Sequence, residues 1–208
     1  MYGFAGQMVR INLKTKKIEK KSLSEDFARE WLGARGMVAK ILYDEVPRDA
    51  DPLGPQNKLI VAPGVLTGTF TGAGSKCGFG AISPATNGHA DASVGGHLGP
   101  EIKFAGYDLI VFDDISEEPV YLFINDDEIE LKSAKHLWGK GSIDCEKQLK
   151  EELGDDFEIA TIGPAGENGV VFSCITHDFG RNAGRCGIGA VMGSKRIKAI
   201  AVKGTKSI

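Results

Sequence analysis

Arg181 and Arg185 stand inside a glycine-rich stretch running from Arg181 to Lys195. Loops of this kind that open onto helix N-termini turn several backbone N–H groups toward one point. Unpaired donors and the helix dipole then both favour an anion, and phosphate above all. Between Thr176 and Thr205 six Lys or Arg face a single acid, Asp178, in a chain whose formal net charge is -3. The chemistry indicated is capture of an anionic, phosphate-bearing ligand. For one such loop alone, tight turns and solvated basic side chains are the better explanation. A second glycine-rich stretch, with Gly at 64, 68, 72, 74, 78 and 80 followed by Gly95-Gly96, tips the balance toward a site.

Other chemistries find no support in the spacing. No G-x-x-x-x-G-K-[ST] occurs, and Gly187 to Gly193 misses G-x-G-x-x-G by one residue. G-x-S-x-G is absent, so no nucleophile elbow is indicated. Cys77, Cys145, Cys174 and Cys186 lie 68, 29 and 12 residues apart, too far for a local zinc or iron-sulfur clip. Of the four histidines only His97 and His177 lie beside glycine loops.

Positioning these loops takes an ordered set of elements. Alternation in Met8 to Leu13, a turn at Lys14-Thr15-Lys16 and a strand through Ile18 predict a hairpin. Ser24 caps a helix with Phe27, Trp31 and Leu32 on its core face; Gly33 and Gly36 interrupt it, and a second helix runs from Met37 to near Pro47. Strands follow at 59–62, 79–82, 90–94 and 107–112, with Gly95-Gly96 opening a short helix through Ile102. Residues 113–131 hold eight acids and no Lys or Arg; they form a solvated hairpin across Asn125-Asp126-Asp127 rather than a metal site. A helix over 142–153 presents Ile143, Leu149 and Leu153 to the core and stops at Gly154. Strands at 157–162 and 170–175, the Arg181 to Lys195 stretch and a last strand at 197–202 complete the chain. Hairpins without regular βα alternation predict an α+β fold of mixed, largely antiparallel sheets in one domain over 1–208.

Two segments share a plan. Gly95-Gly96-His97-Leu98-Gly99 to Lys103 precedes the strand at 109–112, and Gly187-Ile188-Gly189 to Lys195 precedes the strand at 199–202; loops beginning at Pro63-Gly64 and Gly163-Pro164 stand before them. A duplication predicts two related halves and two equivalent loop sites, and hence a ligand that is itself double.

Composition sets the outer bounds. Glycine accounts for 28 of 208 residues, about twice ordinary usage. Charged residues at 25% and apolar ones at 42% belong to a folded globular chain. The weak negative charge argues against bulk nucleic-acid binding. No apolar run nears the roughly 18 residues of a membrane span, and the start lacks a secretory pattern, so a cytoplasmic protein with reduced thiols is expected.

Residues 181–195 with Lys198 to Val202 make this sequence resemble the N-terminal domain of the tungsten-containing aldehyde ferredoxin oxidoreductase family. The likeness extends through Val9 to Leu13, Trp31 to Gly36, Gly64 to Thr69, Lys103 to Asp108 and Ile162 to Asn168, and so covers essentially the whole chain. It implies an α+β domain of two intertwined halves, a base on which a tungsten (or molybdenum) bis-pterin cofactor sits with its two phosphates bridged by magnesium. Carried over by motif, Lys76, Ser93 and Gly95 belong to one pterin-contacting loop, and Arg181, Asn182, Ala183, Gly184 and Arg185 to the other. Backbone oxygens of Ser93 and Asn182 are the magnesium ligands this implies. Lys76 stands where relatives often carry Arg, keeping charge without the planar fork. Ser93 replaces an Asn, and Cys186 a common Gly.

The resemblance also implies an enzyme that oxidises aldehydes to carboxylic acids and passes electrons through a [4Fe-4S] cluster to ferredoxin. That cluster and the substrate channel belong to C-terminal domains or a separate subunit, none of the four cysteines here matches the cluster motif, and the isolated chain is expected to be inactive. A homo-oligomer is expected, without nucleic-acid or membrane partners, and no residue of this chain is assigned as catalytic. The alternatives are a non-catalytic pterin carrier or assembly subunit, an aromatic acyl-CoA reductase of the same family, and a plain nucleotide-phosphate binder.

Overall fold

The computed structural model describes residues 2–208. Strand β1 (Gln7–Asn12) turns into β2 (Lys17–Ser22) in antiparallel register from Gln7↔Ser22 to Asn12↔Lys17. The turn is shaped by Asn12, whose Oδ1 accepts from the Thr15 N–H at 2.9 Å. Helix α1 (Glu25–Trp31) begins where Ser24 Oγ accepts from the Phe27 N–H, and Glu25 and Asp26 complement its dipole. Helix α2 (Arg35–Glu45) contains Gly36, contrary to expectation, because a Cβ there would overlap the Trp31 carbonyl of the preceding helix. The glycine permits the sharp α1–α2 corner.

Three antiparallel strands follow: β3 (Leu59–Pro63), β4 (Cys77–Ile82) and β5 (His89–Val94). Helix α3 (Leu98–Phe104) returns the chain to β6 (Leu109–Asp113), which lies parallel to β1 and antiparallel to β3. The second half begins with the hairpin β7 (Val120–Asn125) and β8 (Glu128–Ser133), followed by α4 (Ser142–Leu153). Next come β9 (Glu158–Thr161), the single turn α5 (Pro164–Glu167), β10 (Ile175–His177), β11 (Arg181–Ala183), α6 (Ile188–Ser194) and β12 (Ile197–Lys203).

The duplication holds strand for strand. One sheet is ordered β2-β1-β6-β3-β4-β5 and the other, read from its opposite edge, β8-β7-β12-β9-β10-β11. In each half the first strand pairs parallel with the last, β1 with β6 and β7 with β12, and every other pairing is antiparallel. The α+β expectation therefore stands, with α3 and α6 as equivalent helices.

Alternation along the strands builds the layers. Leu59, Val61, Ile110 and Phe112 share one core cluster with Leu122, Ile124, Ile200 and Val202, and the helices between contribute Leu98, Ile102, Ile188 and Val191. The opposite faces pack separately. Ile60, Leu109 and Val111 meet Met37, Val38 and Ile41 of α2, while Phe123, Ile159 and Ala201 meet Cys145 and Leu149 of α4. The halves are intertwined, since α3 packs on β9 and β12 and α6 packs on β3 and β4.

Three further local expectations fail. Leu32, expected on the core face of α1, lies past the helix end with φ +60° and is exposed. Ile143 is exposed, because the buried face of α4 is Cys145, Glu146 and Leu149. No strand spans Val170 to Cys174: the Val170 N–H donates to Ala165 O and the Ser173 N–H to Val170 O, closing a turn that leaves Val171 and Phe172 exposed. Acids of the 113–131 stretch pair with basic side chains, Asp113 with Arg10 and Lys58 and Asp127 with Lys20 and Lys206. All four cysteines are free.

Candidate functional site

The two sheets end in edge strands β5 and β11, and these lie against each other. The last residue of each, Val94 or Ala183, is buried, and the residue before it, Ser93 or Asn182, is exposed. Ser93 and Asn182 thus occupy equivalent places in the two halves. Edge strands leave alternate backbone groups without ladder partners, so carbonyl oxygens are available here. The Asn182 side chain is already engaged: its Oδ1 accepts from Thr176 Oγ1 at 2.9 Å and Cys174 Sγ at 3.1 Å, and its Nδ2 donates to Gly180 O at 2.8 Å. With both Oδ1 acceptor positions taken, a cation at Asn182 would have to be met by the backbone carbonyl, and buried Ala183 offers only its backbone too.

The loop between β3 and β4 is tied at its base, where the Gly64 N–H and Thr67 Oγ1 both donate to Lys76 O. That closure delivers Lys76 to the loop's exit, exposed and without an acidic partner among the described residues. Its Nζ stands over Gly95, 4.0 Å from where a Cβ would be. Gly96 follows with φ +98°, a left-handed backbone that side chains disfavour. A cleft of about 460 Å³ opens here between Ser75, Lys76, Gly95, Gly96 and His97 of one half and Arg181 of the other. Among the described residues no carboxylate lines it. Arg181 Nε donates to Asp178 Oδ2 at 2.8 Å, which holds the Asp178 carboxyl below its usual range and leaves the terminal nitrogens of the guanidinium free.

The second loop is wound against the chain's natural hand. Arg185, Cys186 and Gly187 all have positive φ, at 64°, 54° and 69°. Each non-glycine residue in this conformation costs about 1–2 kcal/mol, and such strain clusters where ligands are gripped. Ser83 Oγ from the first half clamps the loop by donating to Cys186 O at 2.8 Å. A Cβ on Gly184 would meet nothing within 4 Å, so its backbone faces open space, and Arg185 is exposed beside it.

The structure thus brings Lys76, Gly95 and Arg181 to one cleft, with Ser93 and Asn182 on the adjoining edges and Gly184 and Arg185 on the next loop. It does not use all the basic residues counted near the C-terminus. Lys195 and Lys198 are fully buried; Lys195 Nζ donates to Asn57 O and Asp114 O, and Lys198 Nζ pairs with Glu167 at 2.5 Å. Their burial is not legible in the sequence, nor is that of His177, whose ring lies fully buried behind Gly96. Among the described residues no cluster of three or more His, Cys, Asp or Glu is placed to hold a metal. A cationic, glycine-lined cleft fed by both halves fits a double anionic ligand.

The sequence profile of the aldehyde ferredoxin oxidoreductase N-terminal domain matches residues 8–204. The tungsten-containing aldehyde ferredoxin oxidoreductase of Thermococcus kodakarensis is 48% identical over the whole chain, which covers 34% of that protein. The same-named protein of Pyrococcus furiosus is 46% identical, with the same coverage. Among solved structures, the BamBC active-site complex of benzoyl coenzyme A reductase with 1,5-dienoyl-CoA superposes with a TM-score of 0.97 at 40% identity, covering all of this chain and 32% of that one. The chain spans about a third of the length of the relatives it matches. Among the described residues no helix is long and apolar enough to cross a membrane.

Proposed function

We propose, from the premise that this chain belongs to the aldehyde ferredoxin oxidoreductase family through its N-terminal domain, that it is the domain on which a tungsten bis-pterin cofactor is seated. The observation that carries this reading is the cleft in which Lys76 and Gly95 of one half meet Arg181 of the other with no carboxylate of the described residues between them. A cofactor with two phosphate-bearing pterins needs two anion-holding loops at one place, and a duplicated fold with its equivalent edge strands in contact provides that arrangement.

Each residue has a task in it. Lys76 supplies a mobile point charge, and the free fork of Arg181 can hold phosphate oxygens through charge-assisted hydrogen bonds. Gly95, Gly96 and Gly184 allow the ligand to approach the backbone closely. Arg185 supplies the second loop's charge, and Asn182, Ala183 and Ser93 contribute backbone groups, with the Ser93 and Asn182 carbonyls toward magnesium. When bound, the tungsten-pterin group supplies the two-electron chemistry that converts an aldehyde to a carboxylic acid. The protein's part in this domain is to bind and orient.

In the whole protein, electrons would leave through a [4Fe-4S] cluster held outside this chain to ferredoxin, in a homo-oligomeric assembly. Four free thiols are compatible with a reducing, cytoplasmic setting. The likeness to a benzoyl coenzyme A reductase complex supports a second reading, reduction of an aromatic acyl-CoA on the same cofactor platform.

The test is metal and pterin analysis of the protein produced with the remaining two thirds of the family's length, in cells supplied with tungstate and molybdate. Two pterins per tungsten or molybdenum are expected. Protein that folds yet carries neither would refute the reading.

A further inference from the structure

We infer that His177 is a positioning residue: it pins the first glycine loop of the cleft, which belongs to one half of the fold, onto the β9–β10 ladder of the other, and cofactor retention depends on that pin. Only the clause on retention rests on the function proposed above.

The geometry defines the state of the ring. His177 is fully buried at the end of β10. Its Nδ1 lies 3.0 Å from Ile159 O on β9, and its Nε2 lies 3.2 Å from the Leu98 backbone nitrogen. A carbonyl oxygen can only accept and an amide N–H can only donate. The imidazole is therefore neutral, with its proton on Nδ1, which braces the ring on β9 of its own half, while Nε2 accepts from Leu98 and joins the two halves. Burial, which lowers the ring's proton affinity, favours the same neutral form.

What His177 holds is the start of α3. Leu98 is the first residue of that helix, and its N–H is one of those a helix leaves without an internal partner. The preceding residue, His97, makes no side-chain cap. The missing cap comes instead from across the domain, 79 positions along the chain. The same ring forms the back wall of the glycine turn. A Cβ on Gly96 would stand 2.9 Å from His177 Nε2 and 3.1 Å from Arg181 Cδ. Gly96, His177 and Arg181 are thus stacked in contact, and the turn that carries Gly95 under Lys76 rests on the imidazole.

The charged groups around the ring leave this arrangement in place. Glu158 on β9 comes within 3.5 Å of Nε2, but its own burial raises its proton affinity. Lys150 on α4, Asp178 and Arg181 on the β10–β11 hairpin, and His97 complete the set. None displaces Leu98 from Nε2.

The test compares wild type, His177→Ala and His177→Gln by site-resolved amide hydrogen exchange on the cofactor-free protein, and by tungsten and pterin content of the loaded protein after desalting. The glutamine amide oxygen can still accept from the Leu98 N–H. With one buried hydrogen bond lost, Leu98 should exchange at least about tenfold faster in His177→Ala, stay near wild type in His177→Gln, and leave the amides of β3 and β12 unchanged. Retained cofactor should fall in His177→Ala and return in His177→Gln. Leu98 protection unchanged by His177→Ala would overturn the pin. So would a glutamine variant as deprotected at Leu98 as the alanine one. Faster Leu98 exchange with undiminished cofactor would overturn the link to retention and with it this placement of the site. Should His177→Ala not fold, Gly96→Ala pushes the ring from the other side and is expected to give the same local loss at Leu98; its absence there would overturn the inference.

Discussion

Replacing Arg181 and Arg185 together by Ala should separate binding from folding, and both magnitudes follow from the structure. Arg181 is 58% exposed, and its one partner in the fold is Asp178. Exposed pairs of this kind contribute about 0–1 kcal/mol. Arg185 has no ion-pair partner among the described residues, and alanine keeps its left-handed backbone no better and no worse. The cofactor-free double variant should therefore melt within about 4 °C of wild type. Hydrogen bonds to a charged phosphate are worth about 1.5–3 kcal/mol each. Losing two of them weakens retention by about 3–6 kcal/mol, or from about a hundredfold to about ten-thousandfold. The assay is pterin and metal content after desalting, paired with calorimetry of the empty protein. Cofactor content within twofold of wild type would refute the site assignment. A collapse of the empty protein's melting temperature would refute the claim that these arginines serve the ligand and not the fold.

Three further outcomes are expected. Gly193→Ala places a Cβ against the Gly166 carbonyl, where α5 and α6 have no slack, so urea unfolding should show a loss of about 3 kcal/mol or more. Asp108 is buried and accepts from Lys103 Nζ at 2.8 Å and from the Ala5 and Gly6 N–H groups at 3.1 and 2.7 Å. Asp108→Ala leaves Lys103 buried without its counter-charge, which should cost about 3–5 kcal/mol in urea unfolding and speed amide exchange at Gly6. Burial without a carboxylate partner pulls Lys195 down from 10.5 to about 8. Between those values the unfolded chain holds a proton that the folded chain has released, so this group makes stability rise as pH climbs from about 8 to 10.5. Lys195→Met should lack that rise; equal changes in the two proteins between pH 7.5 and 9.5 would argue against it.

Local grammar made much of the fold readable. Ser24 with its two following acids marks a helix start that needs no tertiary partner to interpret, and Asn125 to Glu128 spells a tight hairpin between apolar runs. The duplication showed only as paired glycine loops, because the two halves kept their connections while their side chains diverged. Val170 to Phe172 is apolar and β-branched, as a strand should be, yet Gly169 at φ +70° and the hydrogen bond from Val170 to Ala165 bend it into a turn. Lys195 and Lys198 looked like part of a basic surface. No sequence pattern records that carbonyl oxygens and Glu167 take them inside. The loop residues of the candidate site are proposed by motif, and the convergence of Lys76, Gly95 and Arg181 depends on β5 meeting β11, a contact between halves. The role of His177 is invisible for the same reason, since its partners Leu98 and Ile159 lie on other elements.

One cleft between two duplicated halves is proposed to seat a doubled, phosphate-bearing metal cofactor. The most direct test is a crystal structure of the loaded protein with anomalous scattering recorded at the tungsten edge. Pterin phosphates are expected against Lys76, Gly95 and Arg181, with a bridging cation on the backbone carbonyls of Ser93 and Asn182. Cofactor density elsewhere on the domain, with this cleft holding only solvent, would contradict this placement.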